Sequence, residues 1–438
     1  MGWLKKYNHC SVYFLLFSVF FFTNVTLSWG YPLWEKNRSD MPVFKDKRCF
    51  PTNLVATDLN GDGLADLAVT GFCNRFAVFF SDPKNPGNFK PPKEIKVPTS
   101  AIGMAVFHSE GSRFPFIVVS NCANPDSIPQ KPLLHIVSME TFKVINTMPS
   151  GGKAPDDIAI ADFNGDGLND FAVGHWKEGV LSVLLGKKKG GGFISPQKNS
   201  PQYISIGDEH WQVEARDFDN DQKMDIASVV WTFKNGEARK ADLLILPGNG
   251  KGGFSSSRAK TFPLDREARS FSVADFDRDG FEDIAVANPG SGLKGDGSIS
   301  FLFGKKGGHF DHRLFPPLAR KESDIGGATG GLLAPQGIAT ADLDGDGAFD
   351  LVTASRPVNQ NGRVIILYNN GKGDFSFARS QILQLGRKEI VSNLSFEPLI
   401  ITDLNQDGAP DIAVANTNAN TVSIFFNPLV KKEEGINR

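Results

Sequence analysis

The chain has 438 residues and a formal net charge of −2; with no nucleic-acid-binding motif in a chain that reads as exported, a nucleic-acid partner is not expected. Phe (36) far outnumbers Tyr (5), and Gly (45) and Pro (26) are plentiful, as a strand-and-turn protein requires. No long helix-period apolar stretch occurs, so an all-helical fold is excluded too.

The N-terminus reads as a targeting segment. Lys5 and Lys6 form a short basic region, an apolar run extends from Val12 to Phe22, and a polar stretch follows to Gly30. A run this short predicts a cleaved signal peptide over residues 1–30, with a retained anchor as the alternative. Localisation is then secreted, periplasmic or cell-surface. Membrane contact is expected only if the segment is retained. Beyond it remain Cys49, Cys73 and Cys122, which allow at most one internal disulfide. Cys73 and Cys122 fall at nearly equivalent points of two successive repeats and are the favoured pair, with three unlinked cysteines as the alternative. No CxxC spacing supports zinc.

Residues 31–430 are organised by a repeat. The pattern D-x-[DN]-x-D-x-x-x-D occurs six times, starting at Asp58, Asp162, Asp217, Asp275, Asp342 and Asp403. The later intervals are alike and the first is about twice as long. A worn copy is therefore expected between Asp58 and Asp162, in AIGMAVFHSEGSRFPFIVVSN, with His108 where the first Asp belongs. Each copy has an apolar strand before the acidic loop (LVAT, IAIA, FSVA) and a β-rich strand after it (DLAVT, DFAVG, DIAVA). A third strand follows (FAVFF, LSVLL, VIILY). A Gly-rich turn then leads to a Phe expected to open a fourth strand, at Phe89, Phe193, Phe254, Phe310 and Phe375. Four short strands per repeat, seven times over, predict an all-β, seven-bladed β-propeller with one degenerate blade. The last copy stops after VSIFFNP without its own fourth strand. An N-terminal segment near Trp34 or Phe44 is expected to complete it and remove an open sheet edge. Residues 431–438 read as a charged tail.

The acidic loop has metal-ligand chemistry. Its positions 1, 3, 5 and 9 are Asp58, Asn60, Asp62 and Asp66 in the first copy and Asp162, Asn164, Asp166 and Asp170 in the second. They are Asp217, Asp219, Asp221 and Asp225 in the third, and Asp275, Asp277, Asp279 and Asp283 in the fourth. The fifth has Asp342, Asp344, Asp346 and Asp350, and the sixth Asp403, Asn405, Asp407 and Asp411. Hard oxygens converging in a tight turn suit Ca2+, which takes six to eight such ligands. Glycine at position 6 permits the positive φ of the turn; Gln222 replaces it in the third copy. An EF-hand would need an acid at position 12 and flanking helices, so that reading is rejected. About six structural calcium sites are expected, and calcium loss should loosen the blades.

These loops and Gly-Phe turns resemble FG-GAP/VCBS repeats, as in the N-terminal propeller of integrin α-chains and in many secreted microbial proteins. The resemblance covers roughly Phe44 to Asn427. It implies the propeller and the calcium. It leaves function open among adhesins, lectin-like modules and some polysaccharide lyases.

The acidic loops and the third-to-fourth turns share one face of such a blade. The other face carries the second-to-third turns and the lead-in to strand one. There lie His175, Trp176, Trp231 and Arg356 from the turns, and Asp157, Glu209, His210, Trp211 and Arg269 from the lead-ins, all candidate ligand contacts. Trp faces beside His, Asp and Arg suit carbohydrate or peptide recognition. Six bound calcium ions would turn the chain net basic, so an anionic partner is among the candidates. The reading is a binding or adhesion module for an extracellular protein or glycan. Its alternatives are a polysaccharide lyase or hydrolase acting at the channel mouth, with His175, His210, Asp157 or Glu209 as acid/base and Arg356 or Arg269 neutralising a uronate, and a structural propeller in a cell-surface assembly. No G-x-S-x-G, HExxH or comparable catalytic signature is present.

Overall fold

A computed structural model describes residues 34–429 apart from 47–48, 122–132, 177, 190–192, 197–201, 235–236, 266, 291–296, 316–333, 356–361, 386–398 and 418. Among the described residues, helix is confined to two short 3-10 turns, Trp34–Asn37 and Ser256–Arg258. No helix there is long and apolar enough to cross a membrane.

From Trp34 onward the chain forms seven four-stranded antiparallel blades. Blade 1 runs Pro51–Thr57, Asp66–Gly71, Arg75–Phe79 and Lys93–Lys96. Blade 2, the worn copy, runs Met104–Phe107, Phe116–Ser120, Leu133–Ser138 and Lys143–Pro149. Blade 3 begins at Pro155, blade 4 at Glu209, blade 5 at Ser270, blade 6 at Pro335 and blade 7 at Leu399. Sequence chemistry explains the layering. Each second strand is packed on both faces, so it reads as a continuous apolar run, and every residue of Asp66–Gly71, Asp283–Asn288 and Asp411–Asn416 is buried. The fourth strand is an outer edge, so Lys143–Pro149 alternates exposed residues with half-buried or buried ones.

The cores lie between blades. Phe276 of blade 5 meets Phe301 and Phe375 edge-on at 5.7 and 5.6 Å, the last belonging to blade 6. Each such buried ring stabilises the fold by about 1.5–3 kcal/mol. Leu54, Leu67 and Phe79 of blade 1 share a core with Leu404, Ala413 and Ile424 of blade 7. The fourth strand of blade 7 is Arg38–Pro42, paired antiparallel with Thr421–Phe425. It lies between the two segments named from the sequence. Trp34 sits against blade 6, its Nε1 donating to the Tyr368 hydroxyl at 3.4 Å.

Two expectations need correction. Cys73 pairs with Cys49, not Cys122; the Cα atoms are 5.2 Å apart. Cys49 leads into the first strand of blade 1 and Cys73 follows the second. Neighbouring strands lie about 5 Å apart and packed sheets about 10 Å, so equivalent points on successive blades are beyond disulfide reach. Cys122 lies outside the described residues. The Gly-Phe turn opens the fourth strand only in blades 5 and 6, at His309–Phe315 and Phe375–Gln384. In blade 4, Phe254 turns inward onto Phe163 of blade 3 at 5.3 Å, and the fourth strand starts later, at Lys260. Blade 1 begins its own at Lys93, after Phe89, and blade 3 at Gln202, after a separate hairpin made by Gly186–Lys189 and Phe193–Pro196.

Candidate functional site

Each acidic loop folds around its first aspartate. Asp58 Oδ1 accepts hydrogen bonds from the amides of Asn60, Gly61 and Asp62 at 3.1, 2.7 and 3.2 Å, and its Oδ2 accepts from Gly63 at 2.7 Å. The bond from the position-6 amide to Oδ2 of position 1 recurs on Asp162, Asp217, Asp275, Asp342 and Asp403 at 2.7–2.9 Å. Gly61 and Gly63 take positive φ, which glycine adopts without a Cβ clash. In blade 4, Asn220 and Gln222 hold the same left-handed turn at φ 60° and 66°. The loop lacking its glycine thus keeps the geometry.

Position 9 does something the motif did not reveal. Asp66 Oδ2 accepts from the Leu59 amide at 3.0 Å, and its Oδ1 accepts from the Ser81 amide at 2.9 Å, just past the third strand. The same bridge ties Asp170 to Gly186, Asp225 to Gly248, Asp283 to Gly304, Asp350 to Asn369 and Asp411 to Asn427. The small or short polar residue at or just past the end of each third strand was the available signal. Burial, with neighbouring loop carboxylates adding, pushes Asp66, Asp170 and Asp225 up to about 6 and Asp283, Asp350 and Asp411 up to about 7.

The loops fit a divalent cation. Carboxylate oxygens of Asp217, Asp219 and Asp225 lie within 4.8 Å of one another, as do those of Asp275, Asp277 and Asp279 and those of Asp342, Asp344 and Asp350. Asp219 Oδ1 and Asp277 Oδ1 are buried with no hydrogen-bond partner. Buried carboxylate oxygens without partners are costly unless a cation compensates them. The donor set is all oxygen, which suits Ca2+.

On the opposite face, most of the candidate ligand contacts are turned inward. His175 is buried, with Nε2 2.9 Å from Ser182 Oγ and Nδ1 3.1 Å from the Lys153 carbonyl. His210 is buried with Nδ1 2.8 Å from Ser228 Oγ and Nε2 3.7 Å from Asp156 Oδ1. Burial pushes His175 down to about 4 and His210 down to about 3. Both are therefore neutral at pH 7. Asp157 Oδ1 accepts from the Ile158 amide and Oδ2 from the Val213 amide of blade 4. Trp211, Trp231 and Arg269 do come together: the indoles lie 4.6 Å apart and the guanidinium stands 4.6 Å over Trp211. Both indoles are buried, and Trp231 Nε1 donates to the Ala268 carbonyl at 2.7 Å. Glu209, at the start of blade 4, and Trp176, whose amide donates to the Ala154 carbonyl, are half-buried. Arg356 lies outside the described residues.

An accessible polar site is a cavity of about 1210 Å³ walled by first strands of the blades, including Ile158–Ile160, Gln212–Arg216, Phe271–Val273, Ile338–Thr340 and Leu399–Thr402. At its acidic-loop end stand Met224, Phe281, Glu282 and Phe349, with Met224 38% and Phe349 41% exposed. Arg216 Nε lies 3.0 Å from Glu214 Oε1 and its Nη1 3.8 Å from Glu282 Oε1. Burial raises Glu214 above the usual carboxylate range, with Arg216 opposing the rise.

Seven four-stranded blades, six of them with an acidic loop behind the first strand, define a repeat-built β-propeller. Residues 162–228 match the family model described as FG-GAP-like repeat, and residues 268–302 match the one described as FG-GAP repeat. The chain is a seven-bladed β-propeller that carries FG-GAP repeats at these residues. No curated protein matches it by sequence. Among solved structures, a crystal structure of BBS1N in complex with ARL6DN, soaked with mercury, is similar at a TM-score of 0.53 and 12% identity, covering 89% of this chain and 97% of that one. Kuenenia stuttgartiensis hydrazine synthase is similar at 0.51 and 15% identity, covering 86% and 98%. Likeness at these identities speaks for the fold alone.

Proposed function

We propose that the protein is an exported, calcium-stabilised propeller that acts as a binding module for an extracellular protein or glycan, with the ligand seated in the axial cavity. The observation that carries this reading is the conjunction of a rigid ring and an open cavity with charged walls and an apolar rim. Calcium in the acidic loops would be structural. Positions 1, 3, 5 and 9 would hold it and it would supply only charge compensation, stiffening the turns around the mouth. The Cys49–Cys73 disulfide supports export, since such bonds persist in oxidising compartments.

The ligand moves from the opposite face to the cavity because His175, His210, Asp157 and Trp231 are occupied inside the protein. The cavity wall sets two glutamates against one arginine, which disfavours an anionic ligand there. A neutral glycan or a basic peptide segment fits it better. Aromatic Phe281 and Phe349 offer faces to a sugar ring or an alkyl cation. The test is binding to glycan and basic-peptide arrays in calcium, with wild type beside Phe281→Ala and Glu214→Gln. Loss of a wild-type signal in both variants supports the cavity; an undiminished signal places the ligand elsewhere.

A further inference from the structure

The six acidic loops differ in a way that follows one rule. In blades 1, 3 and 7 position 3 is Asn60, Asn164 or Asn405, so each loop has three carboxylates at its four ligand positions. In blades 4, 5 and 6 position 3 is Asp219, Asp277 or Asp344, so each has four. Every four-carboxylate loop, and no three-carboxylate loop among the described residues, carries a side-chain cation on its position-5 aspartate. In blade 4, Lys223 Nζ lies 2.6 Å from Asp221 Oδ2. Blade 5 places Lys305 Nζ, which arrives from the third strand, 2.5 Å from Asp279 Oδ2 and 3.4 Å from Asp277 Oδ2. In blade 6, Arg278 Nη2, which arrives from the blade 5 loop, lies 3.5 Å from Asp346 Oδ1 and donates to the Asp346 carbonyl at 3.0 Å. Two of the three three-carboxylate loops use an amide instead: Asn164 Nδ2 donates to Asp166 at 3.1 Å and Asn405 Nδ2 to Asp407 at 2.9 Å. The extra carboxylate is thus matched by one positive charge, leaving every loop at the same formal −3.

Resting on the calcium reading above, we infer that the loops form two classes of metal site. In the four-aspartate class a tethered cation holds the loop together without metal and must be displaced when calcium binds. Lys305 is the clearest case, because one ammonium touches two of the loop's carboxylates. It does not exhaust the site: Asp277 Oδ1 stays buried with no partner, and so does Asp219 Oδ1 in blade 4. A divalent ion satisfies these oxygens where a single ammonium cannot, since it takes six to eight oxygen ligands. Arg278 adds a link between blades, because calcium entering the blade 6 loop would release a residue of the blade 5 loop.

The device makes calcium affinity in blades 4 to 6 a difference between two cations. Removing the tethered one should tighten calcium binding at that loop while weakening the calcium-free fold. An ion pair with this exposure, 38% for the Lys305 side chain, corresponds to at most about fivefold in affinity.

The experiment is calorimetric titration of the calcium-stripped full chain with CaCl2, paired with thermal unfolding in chelator and in saturating calcium. Lys305→Met should tighten one site several-fold and lower the unfolding temperature in chelator, with little change in saturating calcium. Lys223→Met should do the same at a different site. Lys306→Met, a neighbour with no ion pair among the described residues, is the control and should change neither. Unchanged isotherms and chelator melting in both Lys305→Met and Lys223→Met, beside a calcium-binding wild type, would overturn the inference alone. A flat wild-type isotherm would overturn the calcium reading and the inference together.

Discussion

Asp157 on the first strand of blade 3 accepts a hydrogen bond from the Val213 amide on the first strand of blade 4 at 2.7 Å, while its other oxygen takes the Ile158 amide at 2.9 Å. One carboxylate thereby satisfies two buried donors and stitches two blades. Gln212 repeats the device toward blade 5, with Oε1 accepting from the Phe271 amide at 2.7 Å and Nε2 donating to its carbonyl at 3.0 Å. Asp157→Asn turns one acceptor into a donor facing a buried amide. It is expected to cost about 1–3 kcal/mol, read by denaturant unfolding. An unchanged midpoint would show that water replaces the stitch.

Gln222 holds φ 66°, a conformation that costs a non-glycine residue about 1–2 kcal/mol. Gln222→Gly should therefore stabilise the protein by about 1 kcal/mol, the rare substitution to glycine that helps. A rise in the unfolding midpoint checks it.

Gly174 packs so closely on His210 that a Cβ there would overlap the imidazole. Gly174→Ala should destabilise by about 1–3 kcal/mol, the usual cost of overpacking. Because the clash is with one side chain, Gly174→Ala combined with His210→Ala should cost less than the sum of the two. A double-mutant cycle measures that coupling.

The Cys49–Cys73 bridge spans 24 residues, and losing it should cost about 3 kcal/mol. Cys49→Ser and Cys73→Ser should lower stability equally, and the double substitution no further. A larger loss from Cys73→Ser alone would show that Cys73 pairs elsewhere.

The blade number and the loop positions were legible because an acidic loop repeats in register with the strands around it. His108 marked the worn blade, and the described structure places a loop there between Phe107 and Phe116. The disulfide was not legible, because strand neighbours within one blade are close in space and repeat equivalence says nothing about that. Nor was the burial of His175 and His210. A histidine at a strand end looks the same in sequence whether it faces solvent or a serine on the next strand. The pairing of Lys305 with a loop about 26 residues upstream depends on third-strand register, which the motif does not contain.

Calcium and protons should compete at position 9. The six buried aspartates sit at about 6 to 7 in the metal-free fold, above their usual value of 3.8. Between pH 4 and 7 the folded state therefore binds more protons than the unfolded one, and this contribution to metal-free stability falls as pH rises. Calcium reverses that loss by taking the protons' place. Its stabilising increment should grow from pH 5 to pH 7.5, measured as the difference in unfolding temperature with and without calcium on stripped protein. A constant increment would contradict proton competition.

The most direct test of calcium in the loops is thermal unfolding of the protein in millimolar calcium and then in excess chelator. Ions that bind only the folded state stabilise it by mass action. Chelator should lower the unfolding temperature by a large margin, and added calcium should restore it. The same unfolding temperature in both would contradict calcium binding and leave the six loops as acidic turns held by their own hydrogen bonds.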